Sequence, residues 1–418
     1  MRGKFLSCLL IIAVAASMIL IGSTPQVQAA KKKDIIFGGS LGLSGKFAEL
    51  GRLMKDAFEL WVEDTNKAGG IYVKEYGRKM PVKYILYDDQ SDPATGAKLY
   101  EKLITHDKVD FLTAPFSSGI TFSGSTVAEK YKKIMISVCG SSNDIYNRGF
   151  DYIFCNIGFA SNHMNSNIAL IDSLKPKPKG IAIVTDKTLY CLTVAEATRD
   201  KLKNLGFEIV LYEEFPSDIK DASSIINKMK ALNPEIFLGF TRPPSCALFT
   251  KQTKILNFRP KMVYFNEGPE MGWYVPEFGK DAEGMISRFA SYAAPDNPRL
   301  VEFTKAIKKK DPKWDRSVPD SMYHCGPYDS VEMLRQGIEG AGTLDNTKVA
   351  KYLRTHDLEN MFVGLRQEAV FKDFEKYKNI NVNLVPVATQ IQNGKIMVVW
   401  PQEFAQAEVW YPLSPWQK

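Results

Sequence analysis

Two serine-bearing loops carry the clearest chemical signal in this sequence. One runs Ala114-Pro115-Phe116-Ser117-Ser118-Gly119 and the other Cys139-Gly140-Ser141-Ser142-Asn143. Each follows a short β-rich run and opens a helix. Hydroxyls and free backbone N–H groups at a helix start suit a bound anion such as a carboxylate. The competing reading is that these serines only cap their own helices. Two further segments follow strands in the second half of the pattern: Thr185-Asp186-Lys187-Thr188-Leu189-Tyr190 and Asn266-Glu267-Gly268-Pro269-Glu270. A carboxylate there would complement an ammonium group, and an aromatic ring would pack against an apolar or charged ligand. A surface turn with a solvated glutamate is the alternative. Arg242, before Pro243-Pro244, would bring a guanidinium to the same region for a second carboxylate, unless it is a plain surface arginine.

These are binding groups rather than catalytic ones. Gly42-Leu43-Ser44-Gly45-Lys46 departs from the GxSxG elbow at its last position, no HExxH occurs, and Gly45-Lys46-Phe47 lacks the spacing and hydroxyl of a phosphate loop. His324 and Cys325 are neighbours in sequence, and such neighbours seldom face each other. The four histidines, His106, His163, His324 and His356, stand apart, and no CxxC occurs. Neither an enzyme, a metal site nor a cofactor is expected.

Positioning such loops requires a repeating scaffold, and the chain supplies one. A strand at Ile35-Ile36-Phe37 precedes a glycine-rich turn, then apolar residues at Leu50, Met54, Ala57, Phe58, Trp61 and Val62 at helix spacing, stopped by Gly69-Gly70. Strands follow at residues 82–87, 109–112 and 134–138, separated by helices at 94–106 and 122–131. The alternation restarts with strands at 181–184, 208–212, 236–238 and 262–265 and helices at 194–205, 222–232 and 247–256. A last helix at 329–339 and strands at 385–390 and 395–399 complete one or both units. Alternation of this kind needs crossover helices on largely parallel sheets. The fold class is therefore α/β: two doubly wound lobes joined near residues 155–158, with a cleft between their carboxyl sheet edges.

The first thirty residues read as an export signal. Arg2 and Lys4 precede an uncharged run from Phe5 to Ile21, and small residues allow cleavage near Ala29 or Ala30. A retained anchor is the alternative reading, since the run is barely long enough to span a bilayer. About 388 residues remain, enough for two domains. Removing Arg2 and Lys4 takes the net charge from +7 to about +5, and the short clusters at residues 31–33 and 308–310 lack the interleaved aromatics of a nucleic-acid surface. Cys139, Cys155, Cys191, Cys246 and Cys325 make an odd count, which leaves at least one thiol outside any intramolecular disulfide.

Over residues 37–268, and more weakly to 400, the chain resembles the leucine/isoleucine/valine-binding proteins of ATP-binding-cassette importers. The resemblance rests on Leu43-Ser44-Gly45 with Gly51, Asn66-Lys67-Ala68-Gly69-Gly70-Ile71, Asp88-Asp89-Gln90-Ser91-Asp92-Pro93, Ile136-Ser137, Asp186-Lys187 with Tyr190, Ala282-Glu283-Gly284-Met285, Tyr328 and Ile391-Gln392-Asn393-Gly394. It implies a type I periplasmic binding fold with a three-crossing hinge, lobe one being residues 34–155 plus 291–365 and lobe two 156–290 plus 366–418. It further implies a monomeric periplasmic receptor that closes around a small amino acid and delivers it to a membrane permease, with no nucleic-acid partner. Ser118 matches the family's carboxylate-binding serine and Ser141 its partner threonine. Phe116 and Cys139 match backbone contacts, Tyr190 a cleft tyrosine, Glu267 the ammonium-binding carboxylate and Tyr328 a tyrosine near the hinge. Four departures stand out: Ser91 and Ser117 replace the family's cysteine pair, Leu50 replaces a pocket aromatic, Cys191 replaces a glycine, and Arg242 replaces a cleft tyrosine. The alternatives are an aromatic or aliphatic carboxylate ligand without an ammonium, or a ligand sensor of the same fold.

Overall fold

Strand burial explains why this chain builds two covered sheets. The computed structural model describes residues 32–289, 298–312, 321–364 and 366–412. The export segment and the lobe limits expected at 290–291 and 365 lie outside the described residues. In chain order the strands are β1 (Ile35–Leu41), β2 (Ile71–Val73), β3 (Arg78–Met80), β4 (Val82–Asp88), β5 (Phe111–Thr113), β6 (Met135–Ser137), β7 (Ile153–Cys155) and β8 (Ile181–Asp186). They continue with β9 (Ile209–Phe215), β10 (Ile236–Phe240), β11 (Met262–Phe265), β12 (Ile286–Phe289), β13 (Phe371–Phe374), β14 (Tyr377–Asn381), β15 (Val387–Gln392) and β16 (Lys395–Trp400).

Two seven-stranded sheets result, ordered β13-β14-β7-β6-β5-β1-β4 and β16-β15-β12-β11-β10-β8-β9, beside the small β2-β3 pair. From β4 to β14 and from β9 to β12 the pairing is parallel. Helices cover both faces, so alternate residues of one strand enter different cores. Ile181 and Ile183 pack with Val194 and Leu202 on one side of the second sheet. Ala182 and Val184 pack with Ile226 and Phe249 on the other. The first sheet is covered likewise, by Met54, Phe58, Trp61 and Leu334 on one face and by Tyr100 and Leu103 on the other. The helix Ala48–Lys67 ends where Gly70 adopts φ +93° with its Cβ position 2.2 Å from the Met80 carbonyl oxygen, a site only glycine fills.

In both sheets the strand order reverses beside the first strand of its unit, between β1 and β5 and between β8 and β10. The crevice at such a switch point is where open α/β sheets hold ligands. The chain leaves the first sheet after β7, and the helix Asn165–Ser173 already sits on the second, with Asn167 Nδ2 donating to the Ser287 carbonyl at 3.1 Å. It is back in the first lobe by the helix Pro298–Lys310, whose Leu300, Phe303 and Ile307 join the core beside Trp61. The return to the second lobe departs from the expected limit at residue 365. β14 pairs with β7 through Ile380 and Cys155, so residues 371–381 extend the first sheet and the chain crosses only after Asn381. Alternating charge in Lys372, Asp373, Glu375, Lys376 and Lys378 hides these strands, which complete the sheet with β13 as its edge. Among the described residues no helix is long and apolar enough to cross a membrane.

Candidate functional site

Several helices facing the crevice begin earlier than their apolar repeats suggest. They run Ser118–Lys130, Leu189–Asn204 and Pro243–Ile255. Their first turns are built from serine, threonine, tyrosine and proline, so no hydrophobic period marks them, and these turns carry the candidate binding groups. Ser118 is fully buried, and its Oγ accepts the N–H groups of Ser141 and Ser142, both at 3.2 Å. With both acceptor directions used, its proton remains as a donor. The serines do not cap their own helices: neither Ser117 nor Ser142 makes a side-chain cap bond. Ser141 Oγ is buried with no hydrogen-bond partner among the described residues. The two loops thus link to each other and present two hydroxyl donors.

Across the cleft, Arg242 is the residue before the helix Pro243–Ile255, and its Nη1 lies 2.7 Å from Glu267 Oε1 with both side chains buried. Burial alone would disfavour the guanidinium's charge, but Glu267, with Cys191 and Asp186 nearby, outweighs it and holds Arg242 above its usual value. Glu270, the alternative ammonium partner, is tied into the loop instead: its Oε2 accepts from Gly268 N at 3.0 Å and Ser287 Oγ at 2.8 Å.

A second guanidinium, absent from the sequence-level candidates, closes the site. Arg288 at the end of β12 is 2% exposed. Its Nε donates to Asn266 Oδ1 at 3.1 Å and its Nη2 to the Tyr190 hydroxyl. Burial pulls it down to about 10, and among the described residues no carboxylate pairs with it. It stays cationic at neutral pH. The only hint in the sequence is an arginine inside the apolar run Met285-Ile286-Ser287-Arg288-Phe289. Tyr190 lies between the two arginines, with Arg242 Cζ 5.2 Å and Arg288 Cζ 5.5 Å from its ring centre. Arg242 Cζ also lies 5.4 Å from the ring of Phe116 in the first lobe, and Phe116 stacks edge-on with Phe47 at 4.8 Å and Tyr323 at 5.8 Å. Asn266 Nδ2 is buried without a partner among the described residues.

The structure therefore gathers Ser118, Ser141, Phe116, Tyr190, Arg242 and Glu267. Leu50 and Cys139 are buried in the same first-lobe core as Phe116. Tyr328 does not join them. Its hydroxyl bonds Asp64 at 3.3 Å and its ring packs on Phe303 and Phe362, a helix-to-helix contact within the first lobe. All five cysteines among the described residues are buried and unbridged.

Comparison with known proteins agrees with this architecture. A family model described as "Periplasmic binding protein" matches residues 34–376. The Leucine-, isoleucine-, valine-, threonine-, and alanine-binding protein of Pseudomonas aeruginosa is 25% identical over 365 residues, covering 86% of this chain and 92% of its own. A branched-chain amino acid transporter substrate binding protein of Streptococcus pneumoniae, solved with isoleucine, superposes with a TM-score of 0.72 at 22% identity over 88% of this chain and 100% of its own. A solute binding protein of an ABC transporter from Rhodopseudomonas palustris, solved with 3,4-dihydroxy benzoic acid, gives 0.71 at 18% identity over 87% and 95%. At these identities the two structures speak to the fold alone.

Proposed function

Because this chain belongs to the periplasmic binding protein family, we propose that it is the exported receptor of an ABC importer and that its ligand is a small carboxylate with an aromatic or apolar body and no ammonium group. The observation that carries the reading is the unequal state of the two cleft arginines. Glu267, the residue matched to the family's ammonium site, is committed to Arg242, while Arg288 is buried with no acid among the described residues to balance it. An anion entering the cleft relieves that imbalance; a zwitterion's ammonium would instead have to share the Glu267 carboxylate with the Arg242 guanidinium. Ser118 and Ser141 supply hydroxyl donors from the first lobe, and Phe116, Tyr190 and Tyr323 offer ring surface for the ligand body. The fold accommodates either ligand class: one neighbour was solved with 3,4-dihydroxy benzoic acid, and the 25% identical relative is named for leucine, isoleucine, valine, threonine and alanine.

No bond is made or broken in this role. The first lobe meets the carboxylate, the second closes with Tyr190 and Arg288, and the exclusion of water strengthens the charge-assisted bonds. The closed monomer then presents its cargo to a membrane permease on the periplasmic side, after removal of the export segment near Ala29 or Ala30. The test is a thermal-shift panel on protein unfolded and refolded to strip carried-over ligand, using benzoate, 4-hydroxybenzoate, 4-methylpentanoate and leucine. A ligand at a thousand times its dissociation constant adds about 4 kcal/mol and raises the midpoint by several degrees. The plain carboxylates should shift it and leucine should not. A shift with leucine but not 4-methylpentanoate overturns the carboxylate assignment.

A further inference from the structure

His163 is a buried imidazole in the first crossing between the lobes, and its two ring nitrogens face different structures. Nε2 lies 2.9 Å from the Ile157 carbonyl oxygen and Nδ1 lies 3.0 Å from the Tyr190 hydroxyl. A carbonyl oxygen only accepts, so Nε2 carries the proton and Nδ1 is the bare acceptor. The Tyr190 hydroxyl has two acceptors in reach, His163 Nδ1 at 3.0 Å and Asn266 Oδ1 at 3.5 Å. The shorter contact and the bare Nδ1 direct its proton to His163, which turns its lone pairs toward Arg288, whose Nη2 donates to it. One directed chain therefore runs from the backbone of the crossing through His163 and Tyr190 to the Arg288 guanidinium. Burial and the neighbouring Arg288 both push His163 far below its usual value, in keeping with a neutral ring.

A second set of contacts binds the same helix to the same crossing. Lys201, in the last turn of the helix that Tyr190 begins, donates to the Ser161 carbonyl at 2.6 Å, to Asn162 Oδ1 at 3.0 Å and to Asn165 Oδ1 at 2.7 Å. The crossing is thus held at both ends of the helix Leu189–Asn204. A cavity of about 200 Å³ lies on its other side, lined by Ile157, His163, Ile380 and Asn381. It lies between this crossing and the third one.

We infer that His163 is a positioning residue that fixes the direction of the Tyr190 hydroxyl, and through it Arg288, so that the anion site and the hinge backbone form one hydrogen-bonded unit. Its consequence for binding rests on the carboxylate reading above, so the test is made without ligand. In protein labelled with ¹⁵N-histidine and ¹⁵N-arginine, His163 should show the Nε2–H tautomer across pH 6–8, and the Arg288 Nε–H should be protected from exchange. The opposite tautomer overturns the inference. Two variants then separate the two bonds. His163→Asn keeps an acceptor where Nδ1 stood and loses the donor to Ile157; His163→Gln keeps the donor and loses the acceptor. Loss of a hydrogen bond to a charged network changes local opening by about tenfold, so Arg288 protection should fall by that factor in His163→Gln and persist in His163→Asn. In a Tyr190→Phe background, where the hydroxyl linking His163 to Arg288 is gone, His163→Gln should cause no further fall. Equal protection in both variants, whether kept or lost, overturns the proposed role.

Discussion

Arg242 and Arg288 flank one tyrosine ring, yet removing either from its surroundings should have opposite consequences. Arg242 has Glu267 at 2.7 Å, and breaking a buried ion pair from one side costs about 3–5 kcal/mol because the remaining charge is stranded. Glu267→Gln should therefore lower the unfolding free energy by that order, instead of acting only on ligands that carry an ammonium. Arg288 already bears the cost of a buried charge with no carboxylate partner among the described residues. Arg288→Met should leave the ligand-free protein as stable as before or more so, while weakening benzoate by roughly 2–5 kcal/mol through loss of the charged partner. Denaturant melts and calorimetric titration of the two variants check both statements; a destabilised Arg288→Met with unchanged benzoate affinity refutes them. The contrast also marks what was legible in the sequence. Ser118 and Ser141 could be found because each stands in a loop after a strand, where a helix start exposes donors. Arg288 could not, because a charge embedded in a strand reads as noise until the strand's place in the sheet is known. Glu267 and Arg242 are both legible as candidates, but their pairing is not, since they meet only after β10 and β11 pair.

At the scale of elements, the apolar period located the interiors of helices and strands and missed parts that other forces hold. The strand Met262–Phe265 is legible to its observed limits, because four apolar residues buried on both faces have no other use. The helix Asn346–Thr355 leaves little trace in the apolar period; its start is fixed by Asp345, whose carboxylate accepts the Lys348 N–H at 3.0 Å. The helix Gly326–Ala341 shows a polar device within an apolar face. Asp329 is fully buried on it and accepts the N–H groups of Phe362 at 3.0 Å and Val363 at 2.7 Å, pinning that loop to the helix. Burial outweighs these donors and pushes its carboxyl up to about 8. An acid whose folded value lies above its unfolded one stabilises fully below the unfolded value of about 4, and that contribution is lost as pH rises toward 8. Asp329→Asn keeps the neutral shape and cannot ionise. Its stability relative to the wild type should therefore rise steadily between pH 4 and 8 in urea melts. A pH-independent difference would mean that Asp329 holds its loop as a carboxylate at all these values.

For the whole molecule, the question is what the second lobe gains by closing, since a ligand shifts a hinge only through its different affinity for the two states. The cleft is already bridged directly. Ser142 Oγ in the first lobe lies 2.8 Å from Thr193 Oγ1 in the second. Thr193 donates to the Leu189 carbonyl at 2.8 Å, so in the bridge Ser142 is the donor and Thr193 the acceptor. Arg242 above Phe116 adds a cation over a ring across the same gap, and Met271, from the loop after β11, packs into the first lobe's core. These contacts belong to closure and not to either lobe's own stability, because each joins residues from opposite sheets. Thr193→Val keeps the side-chain volume and removes the acceptor. A single net hydrogen bond contributes about 0.5–1.5 kcal/mol, which corresponds to a roughly two- to tenfold smaller closed population at a given ligand concentration. Small-angle scattering of the ligand-free variant should give a larger radius of gyration than the wild type, with the same value restored at saturating ligand, and the dissociation constant should rise by the same factor. The melting midpoint without ligand should hardly move, since neither core is touched. If the radius and the affinity are both unchanged, the Ser142–Thr193 bridge contributes nothing to closing, and the Arg242–Phe116 and Met271 contacts remain as the direct bridges between the lobes.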